Sequence, residues 1–209
     1  MKVYSLNITD LTDEELSEFS KSMGDERRAE ISKIKNPDSA KQKTAADYLC
    51  RKAVSEFGSV SANDIIIKKT TFGKPYAENA RAEFSISHSK DVVVCAVSEN
   101  EIGIDAEKIR RVNFRAATRF ATEEEIAYIG ESTERFFEIW TLKEAYFKCI
   151  GTGLGTDIKN VSFRIENGVI TCSEKGFECS FYPLKDGYCC SVCEKIKDCL
   201  TKRRPKETE

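Results

Sequence analysis

Phe136-Phe137-Glu138-Ile139-Trp140-Thr141-Leu142-Lys143-Glu144-Ala145-Tyr146-Phe147-Lys148 is the run on which the fold turns. No Gly or Pro interrupts it, Ser132 or Thr133 is placed to cap its start, and Gly151, Gly153 and Gly155 stop it. It reads as a helix. Phe136, Trp140 and Phe147 recur at helical spacing, and Phe137, Ile139 and Tyr146 make the remaining surface apolar as well. A helix apolar nearly all round is buried. Yet Lys143, Glu144 and Lys148 interrupt the Trp140-to-Phe147 stripe, and a buried charge costs several kcal/mol unless it is paired or ligates something. A plain Glu144–Lys148 pair at the helix edge accounts for only about 0.2–0.5 kcal/mol.

The chain around this helix has 209 residues, length enough for one large domain or two small ones with a proper core. Hydrophobic residues make up 40% and charged residues 33%, the pattern of a globular protein with a well-solvated surface. The net charge of −2 argues against a general nucleic-acid or membrane binder. No apolar run approaches the roughly 18–20 residues that span a bilayer. Met1 to Asp10 mixes polar and apolar residues at strand spacing, unlike a signal peptide, so a cytoplasmic protein is expected. The nine cysteines are then expected to stay reduced, with Cys190-Ser-Val-Cys193 a pair of small core thiols and not a zinc or redox site.

Working outward, Val3–Ile8 alternates as a strand, Thr12 with Glu15 forms a capping box for a short helix, and Thr122 with Glu125 forms a second, opening a helix to about Ile129. Asn36-Pro37 opens a long helix to about Phe57, with Ala46, Leu49, Cys50, Ala53 and Phe57 as its buried stripe and Lys41, Lys43 and Arg51 on a solvated face. Ile65–Lys69 is a short strand, and Phe72-Gly73-Lys74-Pro75 a turn that cannot continue a ladder. Glu83–His88 and Val92–Ser98 make a hairpin, and Glu101–Glu107 a further strand. Four strands follow the central helix, near Val161–Ile165, Val169–Cys172, Phe177–Tyr182 and Tyr188–Glu194.

Lys90-Asp91-Val-Val-Val-Cys95-Ala-Val97-Ser-Glu99 matches Lys185-Asp186-Gly-Tyr-Cys-Cys190-Ser-Val192-Cys-Glu194 at a constant shift. The expected fold is therefore α+β in two similar halves related by a pseudo-twofold. Each half is a long helix on a small antiparallel sheet, with the site at the seam. The expected division is 1–101, 102–195 and a flexible basic tail at 196–209.

In Ile102-Gly103-Ile104-Asp105-Ala106-Glu107 the strand period places Asp105 and Glu107 side by side on one face. Like charges that close repel unless a cation lies between them, and carboxylate oxygens suit a hard ion such as Mg²⁺. Glu144 is a third carboxylate in need of a partner, and Lys143 and Lys148 flank it as they would an anionic phosphate sharing the metal. The single histidine, His88, stands at a strand end among Ser85, Ser87 and Ser89. Carboxylates, lysines and one histidine describe a diphosphate–metal site better than a protease or redox centre. There is no P-loop, no GxGxxG and no Ser/Cys–His–acid set.

Phe72-Gly-Lys-Pro75, Phe84-Ser-Ile-Ser-His-Ser89, Gly103-Ile-Asp-Ala-Glu-Lys108, Arg119-Phe-Ala-Thr-Glu-Glu124 and Trp140-Thr-Leu-Lys-Glu-Ala145 with Lys148 resemble, in order, the motifs of the 4′-phosphopantetheinyl transferases. In length and two-half layout the chain is similar to the Sfp type, and not to the half-length, trimeric holo-ACP synthase type. The resemblance implies that coenzyme A lies in the cleft between the halves, its diphosphate bridged by Mg²⁺ to Asp105, Glu107 and Glu144. A serine hydroxyl of an apo acyl or peptidyl carrier protein would attack the β-phosphate, and 3′,5′-ADP would leave. Glu144, Lys148, His88 and Lys143 are the implied catalytic residues. Arg27, Lys41, Lys43, Gly73, Lys74, Pro75, Ser87, His88 and Lys148 are the implied coenzyme A contacts.

Arg110, Arg111, Phe114, Arg115, Arg119 and Phe120 offer cations interleaved with aromatics next to the metal strand, a docking surface for an acidic carrier. A monomer is expected, with neither nucleic acid nor membrane as partner. The competing readings are a Mg²⁺-dependent phosphohydrolase of coenzyme A or a nucleotide, and a non-catalytic module that binds coenzyme A or carrier.

Overall fold

The computed structural model describes residues 1–153 and 158–196. The first half opens with β1 (Lys2–Asn7), α1 (Asp13–Lys21), α2 (Asp25–Ser32) and α3 (Pro37–Gly58). It continues with β2 (Ile67–Lys69), β3 (Pro75–Ala77), β4 (Glu83–Ser89) and β5 (Val92–Ser98). The second half runs β6 (Ile102–Lys108), α4 (Glu123–Ile129), α5 (Thr133–Ile150), β7 (Phe163–Glu166), β8 (Val169–Cys172), β9 (Phe177–Phe181) and β10 (Tyr188–Lys195).

The two halves repeat one topology. Each has an edge strand, a long helix, a two-stranded ribbon and a hairpin whose second strand takes the centre of the sheet. The sheet orders are β1-β5-β4 and β6-β10-β9, and the ribbons are β2-β3 and β7-β8. The two matching segments of sequence become β5 and β10, the two central strands.

Side-chain alternation explains the layering. Val93, Cys95 and Val97 of β5 pack with Ala45, Leu49, Ala53 and Val54 of α3, while Val92, Val94 and Ala96 point the other way. There they meet Ile102, Ile104 and Ala106 of β6 with Cys190 and Val192 of β10. The opposite face of the second sheet, with Cys189 and Cys193, carries the aromatic cluster of α5. The order of layers is helix, sheet, sheet, helix, and the seam runs between the sheets.

α5 starts at Ser132, whose hydroxyl accepts from Arg135 N, and ends at left-handed Gly151, φ 74°. Gly155 lies outside the described residues, as does the tail from 197 onward. Two expectations need correcting. Pro75 does enter a ladder: it heads β3 opposite Lys69, the position where a missing N–H costs least. Arg51 is not on a solvated face. It is buried against Asp47 at 2.7 Å and donates to Ile65 O at 2.8 Å, so its charge is compensated where it is desolvated.

Candidate active site

The site is built where β6 passes under α5. Gly103 makes that crossing close: a Cβ there would stand 1.9 Å from Ala145 O and 2.4 Å from Cys149 N. With no side chain at Gly103, the helix settles onto the strand, and Asp105 and Glu107, on the same face of β6, come beneath Glu144 and Lys148.

From the other half, β4 presents hydroxyls at period two. Ser87 Oγ donates to Asp105 Oδ1 at 2.7 Å, and Ser89 Oγ donates to Glu107 Oε2 at 2.9 Å. Ser85 Oγ accepts from Ile104 N at 3.1 Å, and Ser89 Oγ accepts from Lys108 N at 3.1 Å. These hydroxyls stitch the halves together and fix each carboxylate of β6. Lys148 Nζ completes the cluster, 2.6 Å from Asp105 Oδ1 and 3.0 Å from Ser87 Oγ. Ser87, expected as a coenzyme A contact, is occupied with Asp105 and Lys148. Ser85 and Ser89, which the sequence shows only as neighbours of His88, join the site through their alternation with Ser87.

Charge crowding is evident. Glu144 is half-buried and its carboxyl is pushed up to about 7, first by burial and then by Asp105, against the opposing pull of Lys148 and with a further push from Glu107. Asp105 Oδ2 is buried with no hydrogen-bond partner. Among the described residues no three His, Cys, Asp or Glu side chains are already gathered at coordinating distance. The donor set nevertheless fits a hard divalent cation. It consists of oxygen ligands only, one of them an orphaned buried carboxylate oxygen, next to a carboxyl that gives up its proton reluctantly without a nearby positive charge.

Beside this cluster lies a cavity of about 600 Å³ walled by Arg27, Lys43, Asp47, Lys69, Gly73 and Pro75 among others. A smaller cleft of about 220 Å³ shares Gly73, Pro75 and Ile86 with it and reaches Lys148. The two together form a basic trough leading to the carboxylates. His88, on β4, is next to Lys43, with Nε2 3.4 Å from Lys43 Nζ. Burial, Lys43 and then Lys148 hold its pKa below the ordinary imidazole value, so the ring is neutral near pH 7. Arg27 is shared between Glu30 at 2.8 Å and Asp47 at 3.5 Å.

Two expected residues, Lys41 and Lys143, are not brought to this place, and a third, Lys74, lines the smaller cleft with its ammonium bound to backbone carbonyls. Lys41 lies about 200° round α3 from Lys43 and pairs with Asp13 at 3.4 Å, so only one of the two lysines faces the trough. Lys74 turns inward: its Nζ donates to Cys149 O at 2.8 Å and Ile102 O at 3.3 Å, clamping the Phe72–Pro75 turn to the end of α5. Lys143 is wholly buried on another face of α5, since neighbours on a helix do not face the same way. It pairs with Glu125 at 2.9 Å and donates to Ile158 O at 3.1 Å and Val161 O at 2.6 Å. Glu125, which the sequence offered only as a capping-box residue, also accepts from Phe163 N at 2.8 Å and is the hub of that buried network.

The basic segment after β6 forms a 3₁₀ turn, Phe114–Arg119. Arg111, Arg115 and Arg119 are exposed. Phe120 is not: it packs edge-on against Phe136 and Trp140 at 5.3 and 5.0 Å, because the apolar top of α5 must be covered. Arg110 is drawn to Glu107 at 2.9 Å. A groove of about 460 Å³ opens here, running from Glu107 past Arg119 to Trp140.

Residues 101–193 match the family model described as 4′-phosphopantetheinyl transferase superfamily, and residues 10–100 match 4′-phosphopantetheinyl transferase, N-terminal. The chain is 31% identical over 186 residues to the 4′-phosphopantetheinyl transferase gsp of Aneurinibacillus migulanus, covering 84% of this chain and 77% of that protein. It is 28% identical over 210 residues to the 4′-phosphopantetheinyl transferase Sfp of Bacillus subtilis, covering 95% and 94%. Among solved structures, Thermotoga maritima holo-acyl-carrier-protein synthase is similar over 46% of this chain and 63% of its own, with TM-score 0.41 and 27% identity.

Proposed function

This chain belongs to the 4′-phosphopantetheinyl transferase superfamily and is a phosphopantetheinyl-transferring enzyme; we propose that it moves the phosphopantetheine of coenzyme A onto a serine of an apo acyl or peptidyl carrier protein, with Mg²⁺ as cofactor. What supports the metal-dependent reading most directly is Asp105 Oδ2, buried and unpartnered beside Glu144. Asp105, Glu107 and Glu144 would hold the ion, which when bound neutralises and aligns a diphosphate.

The chain's own groups suit the remaining roles. Arg27 and Lys43 line the end of the trough that would take the 3′-phosphate, with Gly73 and Pro75 at the adenine. Lys148 is placed to neutralise non-bridging oxygens of the diphosphate as charge builds in the transition state. His88, whose Nε2 faces Lys43 Nζ at 3.4 Å, is proposed to turn its ring N–H to the same oxygens when they are bound. Glu144, or a water that it positions, is proposed to take the proton of the attacking serine hydroxyl. The new bond joins the serine oxygen to the β-phosphorus. The bond from that phosphorus to the bridging oxygen breaks, and 3′,5′-ADP departs with the electron pair.

Lys143 has no part in this chemistry. It holds α5 by its pair with Glu125, and so fixes the helix that carries Glu144. The exposed Arg111, Arg115 and Arg119, beside the groove that starts at Glu107, are the proposed docking surface for an acidic carrier. One chain carries both walls of the site, so it is proposed to act as a monomer. Its eight described cysteines are free thiols, in keeping with the proposed cytoplasmic setting.

The test is product analysis with and without carrier. Release of 3′,5′-ADP only when an apo carrier is present supports the transfer. Release from coenzyme A alone identifies a phosphohydrolase, and tight coenzyme A binding without product identifies a binding module.

A further inference from the structure

The second half contains a line of sulfurs that the transfer chemistry does not use. Cys179 of β9 and Cys193 of β10 are direct cross-strand partners, and their Sγ atoms are in contact at 2.6 Å. Cys172 ends β8, which runs beside β9, and Cys149 lies on α5, which packs on β10. Cys149 Sγ also donates to Glu101 O at 3.2 Å. The line thus runs from the partly exposed Cys172 and Cys179 inward to the buried Cys193 and Cys149.

Core filling does not account for this arrangement. A thiol that merely fills space is enclosed, as Cys50 and Cys95 are; they are fully buried in the first half, and burial pushes Cys50 far from ionising. Cys179 differs on each point. It is partly open to solvent, and hydrogen bonds from Cys172 and then Cys193 hold its pKa below the ordinary thiol value, whereas Cys172 and Cys193 are held above theirs. A metal site does not account for it either, since among the described residues no three ligating side chains converge on one point. Antiparallel partners lie about 4.5–5.5 Å apart at Cα, within the roughly 4.4–6.8 Å that a disulfide spans, so the backbone need not move.

We propose that Cys179 and Cys193 are an oxidisable dithiol, entered at Cys179 by a small-molecule disulfide and closed as a cross-strand bridge between β9 and β10. In the first step the Cys179 thiolate attacks one sulfur of the small disulfide. The S–S bond breaks, and one thiolate leaves with the proton that Cys179 gave up. In the second step Cys193, losing its proton to the second leaving group, attacks Cys179 Sγ and displaces that group as a thiol. Two protein thiols are oxidised, and one disulfide is reduced to two thiols. The bridge joins strands already paired, so the site on β6 keeps its geometry. The four-sulfur line leaves Cys172 as an alternative partner for Cys179, and the order of attack is what the test must separate.

The full chain is incubated with oxidised glutathione, quenched in acid, alkylated, digested and mapped by mass spectrometry. The expected result is a Cys179–Cys193 cross-linked peptide that dithiothreitol removes, with Cys50 and Cys95 recovered alkylated. In Cys172→Ser/Cys193→Ser the reaction stops with glutathione on Cys179, and in Cys179→Ser or Cys179→Ala Cys193 remains a free thiol. The proposal is overturned by a Cys172–Cys179 bridge in the parent chain, by adducts with no bridge, or by oxidation of Cys193 in the Cys179 variants.

Discussion

Gly103 lies so close under Ala145 that its missing Cβ, if supplied, would sit 1.9 Å from the Ala145 carbonyl oxygen. Backbone atoms of a helix cannot yield there as the tip of a flexible side chain can. Gly103→Ala is therefore expected to lift α5 from β6, lowering stability by about 3 kcal/mol, the upper end of what overpacking typically costs. It should also reduce transfer strongly with every polar group of the site intact. Urea unfolding together with the transfer rate tests this, and a fully active, fully stable variant would refute the close crossing.

The buried Lys143–Glu125 pair carries a second prediction. Lys143→Met leaves the Glu125 carboxylate uncompensated inside the protein, at a cost of about 3–5 kcal/mol. Glu125→Leu together with Lys143→Met should recover much of that loss, which urea midpoints of the two proteins will show. The folded fraction of the double variant should still transfer phosphopantetheine, because neither side chain touches the trough.

Glu144 sets the pH response. Its carboxyl titrates near 4.5 in an unfolded chain and at about 7 in the folded protein. The folded state thus holds this proton more tightly, and the stabilisation that this proton confers is present below about 4.5 and is lost as pH rises through 7. Relative to the parent, Glu144→Gln is expected to melt at the same temperature at pH 5 and higher at pH 8. Melting curves in the absence of divalent cation that ran parallel across this range would exclude the shift.

The trough predicts a split among basic residues. Replacing Arg27 or Lys43 with Ala should raise KM for coenzyme A about tenfold or more, the loss expected for a charge-assisted hydrogen bond. Lys41→Ala should leave it unchanged, because Lys41 points to the other side of α3. With dephospho-coenzyme A the Arg27 and Lys43 effects should shrink, since the 3′-phosphate is gone.

At the docking surface, Arg111→Glu with Arg115→Glu is expected to raise KM for an acidic carrier about tenfold while leaving that for coenzyme A alone. The increase should diminish in high salt. Arg110 is the wrong residue for this test, because its bond to Glu107 makes a charge reversal disturb the carboxylates as well.

How much of this was open to reading from the chain depends on the range of each interaction. Strand period alone put Asp105 and Glu107 on one face, and the repeat at Lys90 and Lys185 foretold two like halves. Those are local signals. That the matching strands, β5 and β10, take the sheet centres emerges only in the fold. The destination of Lys143 was not legible, because Glu125 lies 18 positions upstream and looked like an ordinary helix cap. The partners of the Lys74 ammonium were hidden for the same reason: they are carbonyls of Ile102 and Cys149, which carry no mark in a side-chain pattern. Lys41 and Lys43, by contrast, could have been separated by helical geometry alone.

The intact mass of an apo acyl carrier protein after incubation with this chain, coenzyme A and Mg²⁺ bears most directly on the whole account. A gain of one phosphopantetheine, abolished by EDTA and by Asp105→Ala, is the predicted result. An unchanged mass across several unrelated carriers, from a chain that binds coenzyme A tightly, would contradict it.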